Sequence, residues 1–215
     1  MVLCYVTARK LLGSSRDAEA LLQAIASAGS AGVDWIQIRE KDLPARELLE
    51  VTRSAIAVVP GATRVMINDR LDVALASGAA GVHLGAASLP VAEAVRWCRR
   101  GNAPAEFRIG VSCHNLREAV EAERAGASYI FFGPVYETPS KAQFGPPQGI
   151  ERLAEVCGSV RIPVIAIGGM NEGNAAACLR AGAAGIAAIR LFQEAPDSAA
   201  LSRIVAHLRK LQAVD

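Results

Sequence analysis

Short apolar runs of three to five residues punctuate this chain, and longer amphipathic stretches separate them. The runs at 3–7, 35–38, 65–67, 81–84, 108–111, 129–132, 163–167 and 186–189 read as buried strands, each bounded by polar or turn residues. Residues 16–28, 44–58, 71–77, 90–99, 115–125, 150–156, 172–181 and 197–212 read as helices. Asp42-Leu43-Pro44 and Ser88-Leu89-Pro90 supply start signals for two of them. One phrase recurs four times. Ala28-Gly29-Ser30-Ala31-Gly32 leads into the strand at 35–38, and Ser77-Gly78-Ala79-Ala80-Gly81 into Val82-His83-Leu84. Ala125-Gly126-Ala127-Ser128 leads into Tyr129, and Ala181-Gly182-Ala183-Ala184-Gly185 into Ile186. Each phrase predicts a helix closed by a left-handed glycine and followed by a buried strand. The first glycines stand at 29, 78, 126 and 182, so the spacings are 49, 48 and 56. Each spacing holds two βα units. Eight strands and eight helices predict one α/β domain over 1–215, a (β/α)8 TIM barrel. The alternative, an open doubly wound sheet, lacks a Gly-x-Gly-x-x-Gly after the first strand.

Composition agrees with that architecture. The 215 residues are 52% hydrophobic but only 5% aromatic, as expected of Ala-rich helices packed on Val/Ile strands. The net charge is +2, from 23 basic and 21 acidic residues, so no field points to a nucleic-acid or membrane partner. Five scattered cysteines form no Cys-x-x-Cys and read as reduced thiols. No signal pattern opens the chain and no apolar run approaches the ~18 residues of a membrane span, which makes the cytoplasm the expected location.

In a barrel the chemistry belongs at the C-terminal ends of the strands. Gln37, Arg39 and Lys41 alternate along one extended segment and share a side, which suits a phosphate or diphosphate. Lys141 and Arg190 join them at the same face. Gly168-Gly169 follows strand seven and offers backbone N–H groups to a second phosphate. Asp69 ends strand three, where a carboxylate can hold Mg²⁺, act as a base or cap the next helix. His83 lies inside strand four, where a lone histidine is more often packed than catalytic. Ser112 ends strand five as a candidate donor to substrate, with no base partnered to it in the sequence. His114 is even between a role and packing.

Together these residues resemble a known family. Gln-Ile-Arg-Glu-Lys-Asp (37–42), Ile-Asn-Asp-Arg (67–70), Gly-Val-His-Leu-Gly (81–85), Gly-Val-Ser-Cys-His (110–114), Phe-Gly-Pro-Val-Tyr-Glu-Thr-Pro-Ser-Lys (132–141), Gly-Pro-Pro-Gln-Gly (145–149) and Ala-Ile-Gly-Gly-Met (166–170) are similar to the motifs of thiamine phosphate synthases. The resemblance runs from about residue 3 to 193. It implies a Mg²⁺-dependent transfer: hydroxymethylpyrimidine diphosphate loses pyrophosphate and a thiazole phosphate takes up the pyrimidine methylene. It implies that Arg39, Lys41 and Lys141 bind the leaving group, with Ser112 in the catalytic set. Gln37 and Asn68 would join Ser112 in orienting the pyrimidine, with His83, Thr138 and Ser140 also against substrate. Gly168, Gly169, Ile189 and Arg190 would hold the thiazole phosphate. Two departures stand out. The family pattern places a second metal carboxylate where Ser88 stands, so Asp69 and Ser88 form the implied metal pair. Arg190 replaces a small hydroxyl residue. The alternatives are a thiazole tautomerase-like paralogue, whose base would have to be His83 or His114 because Pro134 replaces that enzyme's histidine, and a non-catalytic binder of thiamine phosphates. The expected partners are phosphorylated small molecules. This architecture often forms homodimers, and nothing in the sequence fixes the assembly.

Overall fold

A computed structural model describes residues 1–13, 18–138 and 146–211. Eight parallel strands close in sequence order into a barrel: β1 (Val2–Val6), β2 (Trp35–Ile38), β3 (Arg64–Asn68), β4 (Gly81–Leu84), β5 (Arg108–Cys113), β6 (Tyr129–Phe132), β7 (Val164–Ile167) and β8 (Gly185–Ala188). The helices are α1 (Ala18–Ser30), α2 (Ala45–Val58), α3 (Leu71–Ser77), α4 (Val91–Trp97), α5 (Leu116–Arg124), α6 (Gly149–Ser159), α7 (Ala175–Arg180), α8 (Arg190–Gln193) and α9 (Ser198–Lys210). Every expected strand is present. The helix ends differ by a few residues, and α8 is an addition. Among the described residues no helix is long and apolar enough to cross a membrane.

Alternation along each strand separates two cores. Outward residues such as Leu3, Ile36, Ile67, Val82, Ile130 and Ile186 pack under the helices. Cys4, Val6, Trp35, Met66, Tyr129, Phe131, Ile165 and Ala187 fill the barrel interior. Large rings fit inside because glycines stand opposite them. A β-carbon on Gly110 would lie 2.1 Å from Tyr129 Cζ, and one on Gly81 would lie 2.4 Å from Met66 Cε.

The recurring phrase works as expected in three of its four copies. Gly78, Gly126 and Gly182 are left-handed, at φ 76°, 91° and 95°. In the first copy that part is played by Gly32 (φ 94°), not Gly29. Here α1 runs on to Ser30 and brings Gly29 against Val59 and Pro60, where a β-carbon would sit 2.9 Å from Pro60 Cδ.

Polar clasps close the barrel at both ends. At the N-terminal end, Arg209 of α9 donates to the carbonyls of Met1 and Gly32, each at 2.8 Å, and pairs with Asp34, which also accepts from the Leu3 N–H. At the C-terminal end of the strands, Gln193 of α8 bridges to Tyr5 of β1 and to Ala8 just beyond it. Its Oε1 accepts from Tyr5 OH (2.8 Å) and the Ala8 N–H (3.1 Å), and its Nε2 donates to the Ala8 carbonyl (2.8 Å).

Candidate active site

The last inward side chains of the strands divide the mouth of the barrel. Gln37, Asn68, His83 and Ser112, from β2 to β5, make a polar half. Val6, Phe131, Ile167 and Ile189, from β1 and the ends of β6 to β8, make an apolar half. Arg39, Lys41 and Asp69 rise from the rim of the polar half.

Asp69 takes a left-handed backbone (φ 63°), the one positive φ outside glycine among the described residues. Aspartate tolerates that conformation at a small cost. Its N–H is held by the His83 carbonyl at 2.8 Å. The turn aims the carboxylate at β4 rather than at α3, whose N-cap is Arg70 and has no side-chain cap bond. The helix-capping role open to Asp69 in the sequence is therefore not the one it takes. Asp69 Oδ1 accepts from the Ser88 hydroxyl and from the Gly85 N–H at 3.2 Å. Oδ2 accepts from Asn68 Nδ2 at 2.5 Å and lies 3.6 Å from Lys41 Nζ. Burial alone would raise the Asp69 pKa, but the Ser88 bond, the Lys41 charge and the Gly85 N–H outweigh it and hold it below the usual value. The group is an ionised carboxylate at neutral pH. Beside it lies the Ser88 hydroxyl, which also accepts from the Gly85 N–H at 2.7 Å.

Among the described residues no three His, Cys, Asp or Glu side chains come together. Asp69 and Ser88 are hard oxygen donors, and one carboxylate with a neighbouring hydroxyl suits Mg²⁺ where phosphate and water complete its shell.

Arg39 is half-buried, and no described carboxylate pairs with it. Two polar residues just past β1 and β2 fix the backbone around it. Thr7 Oγ1 accepts from the Arg39 N–H at 3.0 Å and donates to Glu40 Oε1 at 2.7 Å. Glu40 is buried and also accepts from the Arg9 N–H. Burial raises the Glu40 pKa, and the Thr7 and Arg9 bonds work against that rise. A buried carboxylate thus ties the loops after β1 and β2 together, directly between the two candidate phosphate-binding cations. A cleft of about 230 Å³ opens beside it, bordered by Lys41, Asn68 and Asp69.

His83 is buried, with Nε2 2.9 Å from Ser112 Oγ and Nδ1 3.3 Å from Tyr129 OH. Its ring packs on Phe131, with centroids 4.1 Å apart. So the fold does bring an imidazole to Ser112. The pair does not make a nucleophile. Burial lowers the His83 pKa from 6.5 to about 3, and no carboxylate braces the imidazole from behind. A proton taken from Ser112 would create a buried cation near Arg39. His83 therefore holds Ser112 in place. A nitrogen-15 NMR titration should find this imidazole still neutral at pH 5. Because its folded pKa lies below its unfolded value, its contribution to stability is complete above pH 6.5 and shrinks as the pH falls towards 3. A signal titrating near 6.5 would contradict this placement.

The remaining candidates occupy the other strand ends. His114 Nδ1 meets the Gly133 carbonyl and so carries the hydrogen there. Gly168 (φ 96°) and Gly169 (φ 67°) fold under the loop that follows β6. A β-carbon on Gly168 would meet Pro134 at 2.6 Å, and one on Gly169 would meet the Glu137 carbonyl at 2.5 Å. Ile189 caps α8, and Arg190 opens it with its guanidinium beside Glu194 at 3.6 Å. Thr138 lies on the β6 loop, half-buried. Ser140 and Lys141 fall outside the described residues.

A family model described as thiamine monophosphate synthase matches residues 3–192. The chain belongs to that family. A thiamine-phosphate synthase of Roseiflexus sp. is 41% identical over 199 residues, covering 92% of this chain and 80% of its own. One from Methanoculleus marisnigri is 40% identical over 200 residues, covering 93% and 91%. Among solved structures, a thiamine phosphate pyrophosphorylase from Pyrococcus furiosus superposes with a TM-score of 0.84 at 32% identity, over 100% of this chain and 97% of that one. The Pyrococcus furiosus protein and this chain therefore share the barrel along the whole length described.

Proposed function

We propose that the chain is a thiamine-phosphate synthase that uses Mg²⁺. The observation that supports this reading best is the grouping at one rim: two cations, Arg39 and Lys41, an ionised Asp69, and beneath them the amides of Gln37 and Asn68. That set suits a diphosphate ester attached to a polar heterocycle.

In the proposed reaction the bond between the pyrimidine methylene and the diphosphate oxygen breaks. The ring nitrogen of the thiazole phosphate forms the new bond to that methylene, and pyrophosphate leaves with the electron pair. Charge grows on the leaving oxygens, so Arg39 and Lys41 bind the diphosphate more tightly as it departs. Lys41 exchanges its contact with Asp69 for the diphosphate. Gln37, Asn68 and Ser112 hold the pyrimidine ring, and His83 keeps Ser112 oriented. Gly168 and Gly169, with the start of α8, face the thiazole phosphate. Asp69 and Ser88 would hold Mg²⁺, which supplies further neutralisation of the diphosphate. No step needs a covalent enzyme intermediate, in keeping with the poor basicity of His83. Tautomerisation needs a base at the ring, but buried His83 is a poor one and His114 Nδ1 is tied to the Gly133 carbonyl, so the transfer reading is preferred.

The test is synthesis of thiamine phosphate from the two purified substrates across a Mg²⁺ titration, beside Ser88→Asp. We expect the parent to be active and the variant to reach half-maximal rate at lower Mg²⁺, because a second carboxylate strengthens a hard-cation site. A parent that forms no product at any Mg²⁺ concentration rejects the synthase reading.

A further inference from the structure

The direction of one buried amide is dictated from two positions away. An ionised Asp69 can only accept hydrogen bonds, so Asn68 presents Nδ2 to it, at 2.5 Å. Asn68 Oδ1 then faces Gln37, and a carbonyl oxygen can only accept. Gln37 therefore supplies Nε2, at 2.8 Å. What remains is Gln37 Oε1, buried and without a hydrogen-bond partner. A buried acceptor of this kind needs a donor from a ligand.

We infer that Asp69, acting through Asn68, fixes the polarity of Gln37 and so makes the site select a ring amine over a ring carbonyl oxygen. The inference rests on the pyrimidine reading above and adds the element that sets its specificity. Asp69 and Asn68 are here positioning residues for Gln37, whatever else they touch.

The relay has a consequence that simple loss of a contact does not. Asp69→Ala removes the acceptor that sets Asn68, so Asn68 and Gln37 are free to turn together and either end of the Gln37 amide can meet the ligand. The preference for the amine should be lost although Asp69 has no direct bond to Gln37.

The probes are 4-amino-5-hydroxymethyl-2-methylpyrimidine and its 4-oxo counterpart, both without phosphate, so that neither the cations nor a metal enters the comparison. Dissociation constants are measured by calorimetry on the full chain. The parent should favour the amine by about tenfold or more, the effect of one satisfied against one opposed buried hydrogen bond. Asp69→Ala should bring the two affinities within about threefold of each other. Asn68→Ala, which leaves Asp69 intact and frees Gln37 to turn, should bring the two affinities within about threefold of each other. Thermal melts establish that each variant is folded, and if Asp69→Ala is not, Asn68→Ala carries the test. Folded variants that keep the parent's preference overturn the relay while leaving the pyrimidine reading in place. A parent that binds neither probe, or prefers the oxo compound, overturns the pyrimidine reading itself.

Discussion

Arg39→Ala is expected to lower kcat by about 100- to 1000-fold, the usual loss when one preorganised group facing developing charge is removed. Several features make Arg39 the strongest cation of the rim. It is half-buried, where Coulomb attraction exceeds that at the surface. No described carboxylate competes for it, whereas Lys41 already pairs with Asp69 at 3.6 Å. Its backbone is held by Thr7, which is itself held by the buried Glu40. Arg39→Lys should fall between parent and alanine variant, because a point charge lacks the planar fork that grips two phosphate oxygens. Steady-state kinetics at saturating substrates, with pyrophosphate release as the readout, decides the matter. An alanine variant within threefold of the parent would remove Arg39 from the leaving-group site.

The second large effect concerns stability. Gly110→Ala should destabilise the fold by about 3 kcal/mol or more, the upper range for overpacking a dense interior. The added methyl would lie 2.1, 2.4 and 2.5 Å from three ring atoms of Tyr129. That ring is fully buried, with the Trp35 ring 4.7 Å and the Phe131 ring 5.5 Å away, so it has nowhere to turn. The gain from stiffening the unfolded chain, at most about 1 kcal/mol, does not offset the clash. At this chain length the loss corresponds to a fall in Tm of roughly 6–12 °C. Tyr129→Leu in the same chain removes the colliding ring atoms and should recover part of the loss, which a double-mutant cycle would measure. Equal Tm values for parent and Gly110→Ala would mean that the packing inside β5 and β6 is looser than described.

What the sequence revealed and concealed follows from how far apart the cooperating residues lie. The strands were legible because each is a continuous apolar run flanked by turn residues. The candidate residues were legible because a barrel puts every strand end on one face, so Arg39, Asp69 and Ser112 could be grouped without a distance. Side-chain contacts between neighbouring strands left no such trace. Thr7 and Glu40 are 33 residues apart, and His83 and Ser112 are 29 apart. No local pattern announces either pair. A polar residue ending the first strand, as Thr7 does, was the one available hint. Helix α8 has only four residues, too few to display a period, and Gly29 reads as a terminator because the chain offers two glycines within one turn of each other.

The divided mouth of the barrel carries a consequence for what the electrophilic methylene carbon can react with. Once pyrophosphate loosens, any nearby lone pair competes for the methylene, and water is the commonest. Val6, Phe131, Ile167 and Ile189 bear no side-chain oxygen or nitrogen, and Val6 and Phe131 are buried. A wall of this kind neither anchors water nor offers itself as a nucleophile. The fidelity of the coupling, measured as thiamine phosphate formed per pyrophosphate released, is then a property of the apolar half of the barrel. Polar replacements there should lower the yield of the reaction more than its speed.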